Sequence, residues 1–332
     1  MTHDDTTAPT RTHRCSRRDM LALAGSVVTV GLAGCLSGNS TATHGWQRVS
    51  SPTGKALRDV VFAADGPVAA GESGRVLTRI DDDWGTVVES GPGGASNGLT
   101  GAAVTNDGER VWVCGNSGAA GFYDIVDGEL TDRSAPKEKT SSWEDVAVVG
   151  QAGSERISLI NGSGELLVGR NQGGTVQWGE VTKPTDGDSV NAITMRGSTG
   201  YLCDTNGNVY RKRSEDGWRS IGIDDVSAGL HDVAMLDPDT VTAVADDGSI
   251  FLYNGFNWVS LATVEDALHA VDRREGRGAA VGPGGTVVTV DGNKWSAADT
   301  SISKTLHGVA LGTVEYSDVA VGADGTILEN FQ

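Results

Sequence analysis

The sequence predicts an all-β protein folded as a seven-bladed β-propeller with four-stranded blades. Three observations support this prediction: a short phrase recurs seven times, each repeat contains a glycine-centred hairpin, and a segment before the first repeat supplies the strand missing after the last. The composition agrees, because 47 of the 332 residues are glycine and only 5% are aromatic. Such a composition is typical of many short strands joined by tight turns.

The recurring phrase is clearest as LHDV, LHAV and LHGV in the last three repeats. Its seven copies begin at Leu57, Leu99, Trp143, Val190, Leu230, Leu268 and Leu306. The spacings of 42, 44, 47, 40, 38 and 38 residues favour one propeller blade per repeat over a helical pair, which would show a period of about 3.6 residues. Leu and Val lie three apart, which breaks strand alternation, so we expect Leu in the connection and Val at the start of the inner strand.

Each repeat continues with a strand, a glycine turn and another strand, as in VAAGESGRVL and VGADGTIL. Glycine supplies the positive φ that a tight hairpin requires. In five repeats a tryptophan then opens the last strand: Trp84, Trp178, Trp218, Trp258 and Trp295. These patterns predict four strands in each blade.

The seventh repeat stops at Gln332 without a fourth strand, whereas WQRVSS (residues 46–51) precedes the first repeat. We therefore expect the N-terminal strand to complete the last blade and close the ring, which removes an exposed sheet edge. The propeller domain is predicted to span residues 46–332.

The first 45 residues are predicted to direct export. Arg17 and Arg18 resemble a twin-arginine signal, and the apolar run of residues 21–33 is too short for a permanent membrane span, which needs about 20 residues. LAGC, ending at Cys35, resembles a lipobox whose cysteine is lipidated. These features predict a signal peptide over 1–34, a flexible tether over 35–45, and a lipid-anchored protein that faces outward from the cell membrane.

The charge balance excludes one class of partner. The formal net charge is −18, with 26 Lys and Arg against 44 Asp and Glu, so the surface repels nucleic acid. High acidity with only seven lysines also resembles proteins of salt-loving archaea, in which salt screens the self-repulsion of a compact fold.

The repeats resemble those of BNR-like and photosystem-assembly-factor-like propellers. The resemblance rests on VGADGTIL (321–328) and VGPGGTVVTVDGNKW (281–295) and extends as a pattern over residues 46–332. No complete Asp-box of the sialidase type occurs; SEDGW (214–218) and TVDGNKW (289–295) are shortened versions. The resemblance implies a propeller, and its assembly-factor branch implies help in building a membrane complex.

Polar residues occupy the second position of the phrase in all seven repeats. They are Arg58, Thr100, Glu144, Asn191, His231, His269 and His307. We expect them around the central mouth on one face, as a candidate ligand ring. The three histidines have three interpretations: copies produced by repeat duplication, a zinc site whose donors must converge, or an anion or ligand site shared with Arg58.

The two cysteines of the repeat region, Cys114 and Cys203, fall at equivalent positions of non-neighbouring repeats, where other repeats carry small apolar residues. They are predicted to be core residues without a disulfide between them. The sequence predicts no cofactor and assigns no metal ligands.

No complete catalytic motif is present, so we expect a non-catalytic, monomeric binding or assembly module with a protein partner or a cell-surface ligand. The alternative is an extracellular glycan-active hydrolase or lyase with Arg58, Glu144 and His231 around the mouth. A deep pocket with paired carboxylates would favour the enzyme.

Overall fold

The computed structural model describes residues 44–214, 217–223, 226, 228–291 and 294–331. The predicted signal peptide, with Arg17 and Arg18, lies outside this part, as does Cys35 with the tether up to residue 43. Within the described residues, no helix is both long enough and apolar enough to cross a membrane.

The described strands form seven four-stranded antiparallel sheets, one for each repeat. The predicted seven-bladed propeller is thus confirmed. The inner strands are β2 (Leu57–Ala63), β6 (Leu99–Val104), β10 (Asp145–Val149), β14 (Val190–Arg196), β18 (Leu230–Asp237), β22 (Ala270–Arg274) and β26 (Leu306–Ala310). The second strands are β3 (Gly66–Gly71), β7 (Arg110–Gly115), β11 (Arg156–Ile160), β15 (Thr199–Asp204), β19 (Thr240–Ala245), β23 (Arg277–Val281) and β27 (Asp318–Gly322).

The third and the outermost strands complete each blade. The third strands are β4 (Val76–Ile80), β8 (Ala120–Asp124), β12 (Leu166–Gln172), β16 (Val209–Lys212), β20 (Ser249–Tyr253), β24 (Val287–Asp291) and β28 (Ile327–Phe331). The outermost strands are β5 (Asp83–Val88), β9 (Glu129–Asp132), β13 (Thr175–Trp178), β17 (Arg219–Ser220), β21 (Trp258–Thr263), β25 (Lys294–Ala297) and β1 (Gly45–Arg48). Short 3₁₀ turns occur at Glu72–Gly74, Pro92–Gly94, Asn116–Gly118, Pro136–Glu138, Pro283–Gly285 and Ala323–Gly325.

The ring closes as the sequence predicts. Strand β1 pairs antiparallel with β28, and Gly45 lies opposite Phe331. The indole N–H of Trp84 in blade 1 and the guanidinium of Arg79 both donate to the buried carboxylate of Glu329 in blade 7, at 2.8 and 2.7 Å. Backbone pairing inside blade 7 and these side-chain bonds to blade 1 together hold the seam.

One expectation about the inner strands is wrong. Leucine lies inside the strand in blades 1, 2, 5 and 7 instead of in the preceding connection. The three-residue spacing of Leu and Val arises from a β-bulge, seen as a register shift between Leu57 and Asp59 and repeated in four other blades. A bulge inserts one extra residue, so both apolar side chains still face the core.

The core consists of apolar clusters between adjacent blades. Cys114 and Cys203 are fully buried within two of them and are free thiols, as predicted.

Close packing requires glycine at some turn positions. A Cβ on Gly325, whose φ is +68°, would lie 1.8 Å from the carbonyl oxygen of Thr53, so only glycine fits this turn.

Strand direction defines two faces of the disc. The histidines lie on the side where the inner strands begin and where the second strands turn into the third strands. We call this side the histidine face. The third strands end on the other side, the opposite face. Strand β1 starts at Gly45, beside Phe331 at the end of β28, so the described chain begins on the opposite face.

Candidate binding face

The structure brings the three phrase histidines side by side on one face. His231 and His307 are the bulged residues near the starts of β18 and β26, and His269 immediately precedes β22. The His231 and His269 rings are 5.0 Å apart, edge to face, and the His269 and His307 rings are stacked at 5.9 Å. Neighbouring blades therefore form a continuous row of imidazoles.

Charged residues extend this row at both ends. A nitrogen of His231 lies 2.6 Å from Oδ1 of Asp246. At the other end, Nη1 of Arg58 lies 3.5 Å from Nε2 of His307, and its Nη2 donates to Glu72 at 2.7 Å. We call this set, from Asp246 through the three histidines and Arg58 to Glu72, the histidine row.

A hydrogen bond to the next blade explains three of the seven ring positions. Nδ1 of His269 lies 3.1 Å from the carbonyl oxygen of Leu306 and must donate its proton, since a carbonyl only accepts. Thr100 Oγ1 donates in the same way to the Trp143 carbonyl at 2.7 Å, and Asn191 Nδ2 donates to the Leu230 carbonyl at 2.7 Å. The position thus ties adjacent blades together.

Burial keeps two of the histidines neutral. Burial, followed by the positive charge of Arg58, lowers the pKa of His307 to about 4. Burial also lowers the pKa of His269, although its bond to the Leu306 carbonyl opposes this effect. At neutral pH the middle of the row therefore presents uncharged imidazoles, which offer flat apolar surfaces and hydrogen-bonding nitrogens.

The predicted ring of seven is only partly assembled. The structure brings His231, His269, His307 and Arg58 together in the row, whereas the hydroxyl of Thr100 and the amide of Asn191 point to backbone carbonyls. Glu144 is accessible to solvent, but nearby protein atoms remove part of the water around its carboxyl, and this partial burial raises the pKa of the carboxyl. Within the described residues, no group of three His, Cys, Asp or Glu side chains is placed to hold a metal ion, so the geometry gives no support to the zinc interpretation.

The central channel contains carboxylates that the sequence reasoning did not single out. Asp59, Asp145 and Asp232 follow the ring position in their blades, and Asp272 lies two residues further along in blade 6. Asp59 accepts the N–H of Val60 in its own strand and the N–H of Ala102 in the next blade, both at 2.7 Å. The other three make the equivalent pair of bonds.

These carboxylates line a cavity of about 350 Å³ at the ring centre. Burial raises the pKa of Asp59 to about 7 and that of Asp232 to about 6, and the negative charge of neighbouring channel aspartates raises both pKa values further. The recurrence of Asp at the third position of three phrases was the available signal. The hydrogen bonds that the four aspartates accept from backbone amides identify these side chains as ties between blades. A paired-carboxylate catalytic role instead requires carboxylates that are free to reach a substrate.

Comparison with known proteins identifies the fold. No family model and no curated protein matches the sequence. Solved structures match over most of the chain: the WD40 propeller domain of Doa1 has a TM-score of 0.67 and 11% identity, covering 86% of this chain and 96% of that one. YCF48 from Cyanidioschyzon merolae has a TM-score of 0.65 and 15% identity, covering 86% and 98%. Virginiamycin B lyase from Staphylococcus aureus has a TM-score of 0.67 and 13% identity, covering 86% and 98%.

At these identities the similarity establishes the propeller scaffold and leaves the activity undetermined, because one scaffold supports unrelated functions. The matched propellers include a lyase, and one matched YCF48 structure contains a bound D1 peptide (TM-score 0.67, 14% identity, covering 87% of this chain and 96% of that one). The chain is similar in fold to WD40, YCF48 and streptogramin B lyase β-propellers.

Proposed function

We propose that this protein is a lipid-anchored, extracytoplasmic binding module that presents its histidine face to a protein partner. The observation that carries the proposal is the histidine row itself. It places three adjoining imidazoles, two of them neutral through burial, beside one guanidinium on an exposed face. Such a surface suits polypeptide recognition, because aromatic rings bury area while their nitrogens pair with backbone groups.

The start of β1 leaves the histidine face free. Gly45 begins β1 on the opposite face, so the described N-terminal end of the propeller does not cover the histidine row. The solved structure of YCF48 with a D1 peptide supports a peptide-binding role for a propeller of this shape.

The partner is tested by photo-crosslinking in native membranes. A photoreactive amino acid replaces His231 on the histidine face, and the matched control replaces Val126, which is exposed in the turn between β8 and β9 on the opposite face. We expect a discrete crosslinked protein from the first position only. Equal labelling from both positions, or no labelling from either, would contradict the proposal.

The anchor and the export route are tested separately. Cys35→Ser should abolish incorporation of an alkyne-labelled fatty acid and release the protein from membranes, whereas Cys15→Ser should leave both unchanged. The double change Arg17→Lys and Arg18→Lys should retain the protein inside the cell. Membrane association of the Cys35→Ser variant would contradict the lipid anchor.

A further inference from the structure

A cleft opens between blades 3 and 4, in the outer half of the disc. Its volume is about 740 Å³, within the range of about 300–1,000 Å³ typical of ligand sites. One wall is β12, whose alternate residues Leu166, Val168 and Arg170 face the cleft, and the other includes Tyr210 and Lys212 of β16. The cleft contains no residue of the histidine row, and it shares only Met195 with the lining of the central channel.

The packing of the blades accounts for this opening. Among the described residues, the core cluster between blades 3 and 4 has six buried members, and the other clusters have from seven to eleven. The outermost strand of blade 4, β17, has two residues, whereas β21 in blade 5 has six. A short outer strand contributes few side chains, so the described residues leave the outer part of this interface open.

The cleft gathers positive charge on an acidic protein. Arg156 and Arg170 are direct cross-strand partners at one end, with Lys212 on the facing wall, and Lys183 lies towards the other end. Arg170, Lys183 and Lys212 are outside the ion pairs found in the described residues. Residues 156–220 carry eight Lys and Arg against seven Asp and Glu, although the whole chain carries 26 against 44.

Apolar side chains form the middle of the cleft. They are half-buried or nearly buried and come from both blades: Leu166, Val168, Met195, Tyr210 and Trp218. Burial raises the pKa of Tyr210 to about 12, so its phenol is neutral. The cleft therefore combines a neutral apolar floor with cations at its ends.

We propose that this cleft binds a short extended peptide segment that carries carboxylates next to bulky apolar side chains. The carboxylates lie at the end formed by Arg156, Arg170 and Lys212, because the Lys183 end also contains the acidic Glu180 and Asp186. The apolar side chains lie along the floor, against Trp218.

The dimensions favour an extended peptide. Leu166 and Arg170 are four residues apart on one strand, which corresponds to about 13 Å at roughly 3.3 Å per residue. That length matches about four residues of an extended chain. A long polyanion is disfavoured because the −18 net charge repels it, whereas a short acidic segment pairs locally with Arg170 and Lys212.

The test measures fluorescence anisotropy of labelled tetrapeptides with the full chain. We expect saturable binding of the amidated peptide Leu-Phe-Asp-Glu and at least about tenfold weaker binding of amidated Leu-Phe-Asn-Gln. A third peptide, Leu-Phe-Asn-Gln with a free terminal carboxylate, distinguishes recognition of a chain terminus from recognition of acidic side chains. Equal affinity for all three peptides, or no binding of any, would overturn the proposal.

The variant Arg170→Glu with Lys212→Glu should weaken binding of the acidic peptide by about tenfold or more. As a control, Lys294→Glu with Lys55→Glu makes the same change in net charge at exposed positions away from blades 3 and 4 and should leave the affinity unchanged. Equal loss in both pairs would assign the effect to net charge and overturn the site. This inference goes beyond the histidine face: crosslinking from position 231 should survive in the cleft variant, so each proposal can fail independently.

Discussion

A single side chain, Asp59, joins two blades by accepting one amide from each. Replacement by asparagine keeps one accepting oxygen and puts an N–H where the second acceptor was. We therefore expect Asp59→Asn to lower the free energy of unfolding at pH 5 by about 1–3 kcal/mol, because folded Asp59 is protonated there and carries no cost of ionisation. Guanidinium unfolding measures this, and Asp81→Asn in an exposed turn of the same blade should have little effect. Equal stability of Asp59→Asn and wild type would contradict the role of this bond.

Asp59 also predicts a pH dependence. Its pKa is about 7 in the folded state and near 3.9 when unfolded, so the folded protein binds more protons between these values. The stability from this group is fully present below about pH 4 and is lost as pH rises to 7. We expect the free energy of unfolding to fall by about 2 kcal/mol over this range. At about 1.4 kcal/mol per pKa unit the whole shift would correspond to a larger loss, but Asp59 is partly open to the channel, so its charge is partly solvated.

Unfolding of wild type and Asp59→Asn is compared from pH 4.5 to 8. Part of the decline in stability between pH 4.5 and 7 should disappear in the variant. Parallel curves for the two proteins would show that Asp59 does not titrate in this window.

His269 predicts a contrast between two substitutions. Asparagine can donate to the Leu306 carbonyl as Asn191 does to Leu230, whereas alanine cannot. We expect His269→Ala to lower the free energy of unfolding by about 0.5–1.5 kcal/mol and His269→Asn to retain most of it. Thermal unfolding measures both variants, and equal losses would show that this hydrogen bond is not what the residue contributes.

Sequence reasoning located the histidines because equal offsets in a repeat place side chains at equivalent points of the ring. It missed the channel aspartates, since an Asp next to a polar residue is usually solvated, and the strand pattern does not reveal that Asp59 faces the amide of Ala102 in the next blade. It also placed Leu57 before the strand, because the same bulge mimics a broken alternation.

At the scale of elements, the four residues of β1 close the ring. Burial of Trp46 is worth about 1.5–3 kcal/mol, and the lost strand hydrogen bonds add about 0.5–1.5 kcal/mol each. We expect deletion of residues 45–48 to lower the free energy of unfolding by about 4–8 kcal/mol. Calorimetry measures the loss, and a synthetic peptide of residues 45–51 should partly restore stability while a scrambled peptide should not. An unchanged unfolding midpoint would contradict closure.

The inner elements were predictable and the outer ones were not. Glycine turns and alternating apolar residues specify the inner hairpins, since these are buried on both faces of each blade. The length of an outermost strand depends on neighbours that the local pattern does not contain. The two-residue β17 and the cleft beside it therefore could not be predicted from the tryptophan at 218.

At the scale of the whole molecule, the net charge of −18 opposes compaction. Raising sodium chloride from 0.1 to 1 M shortens the Debye length from about 10 to about 3 Å, so we expect the unfolding temperature to rise by several degrees. The same rise at pH 4.5, where many exposed carboxylates are partly protonated, should be smaller. An equal rise at both pH values would point to salting-out of apolar surface as the cause.

The closing pair also sets the order of assembly. Strand β1 is made before the other described strands, yet its partner β28 ends at Phe331, so the two can pair only after all seven repeats have been made. Contacts this distant in sequence form slowly. Blade 7 is therefore the last blade to be completed, and a nascent chain that still lacks β28 has an unsealed seam.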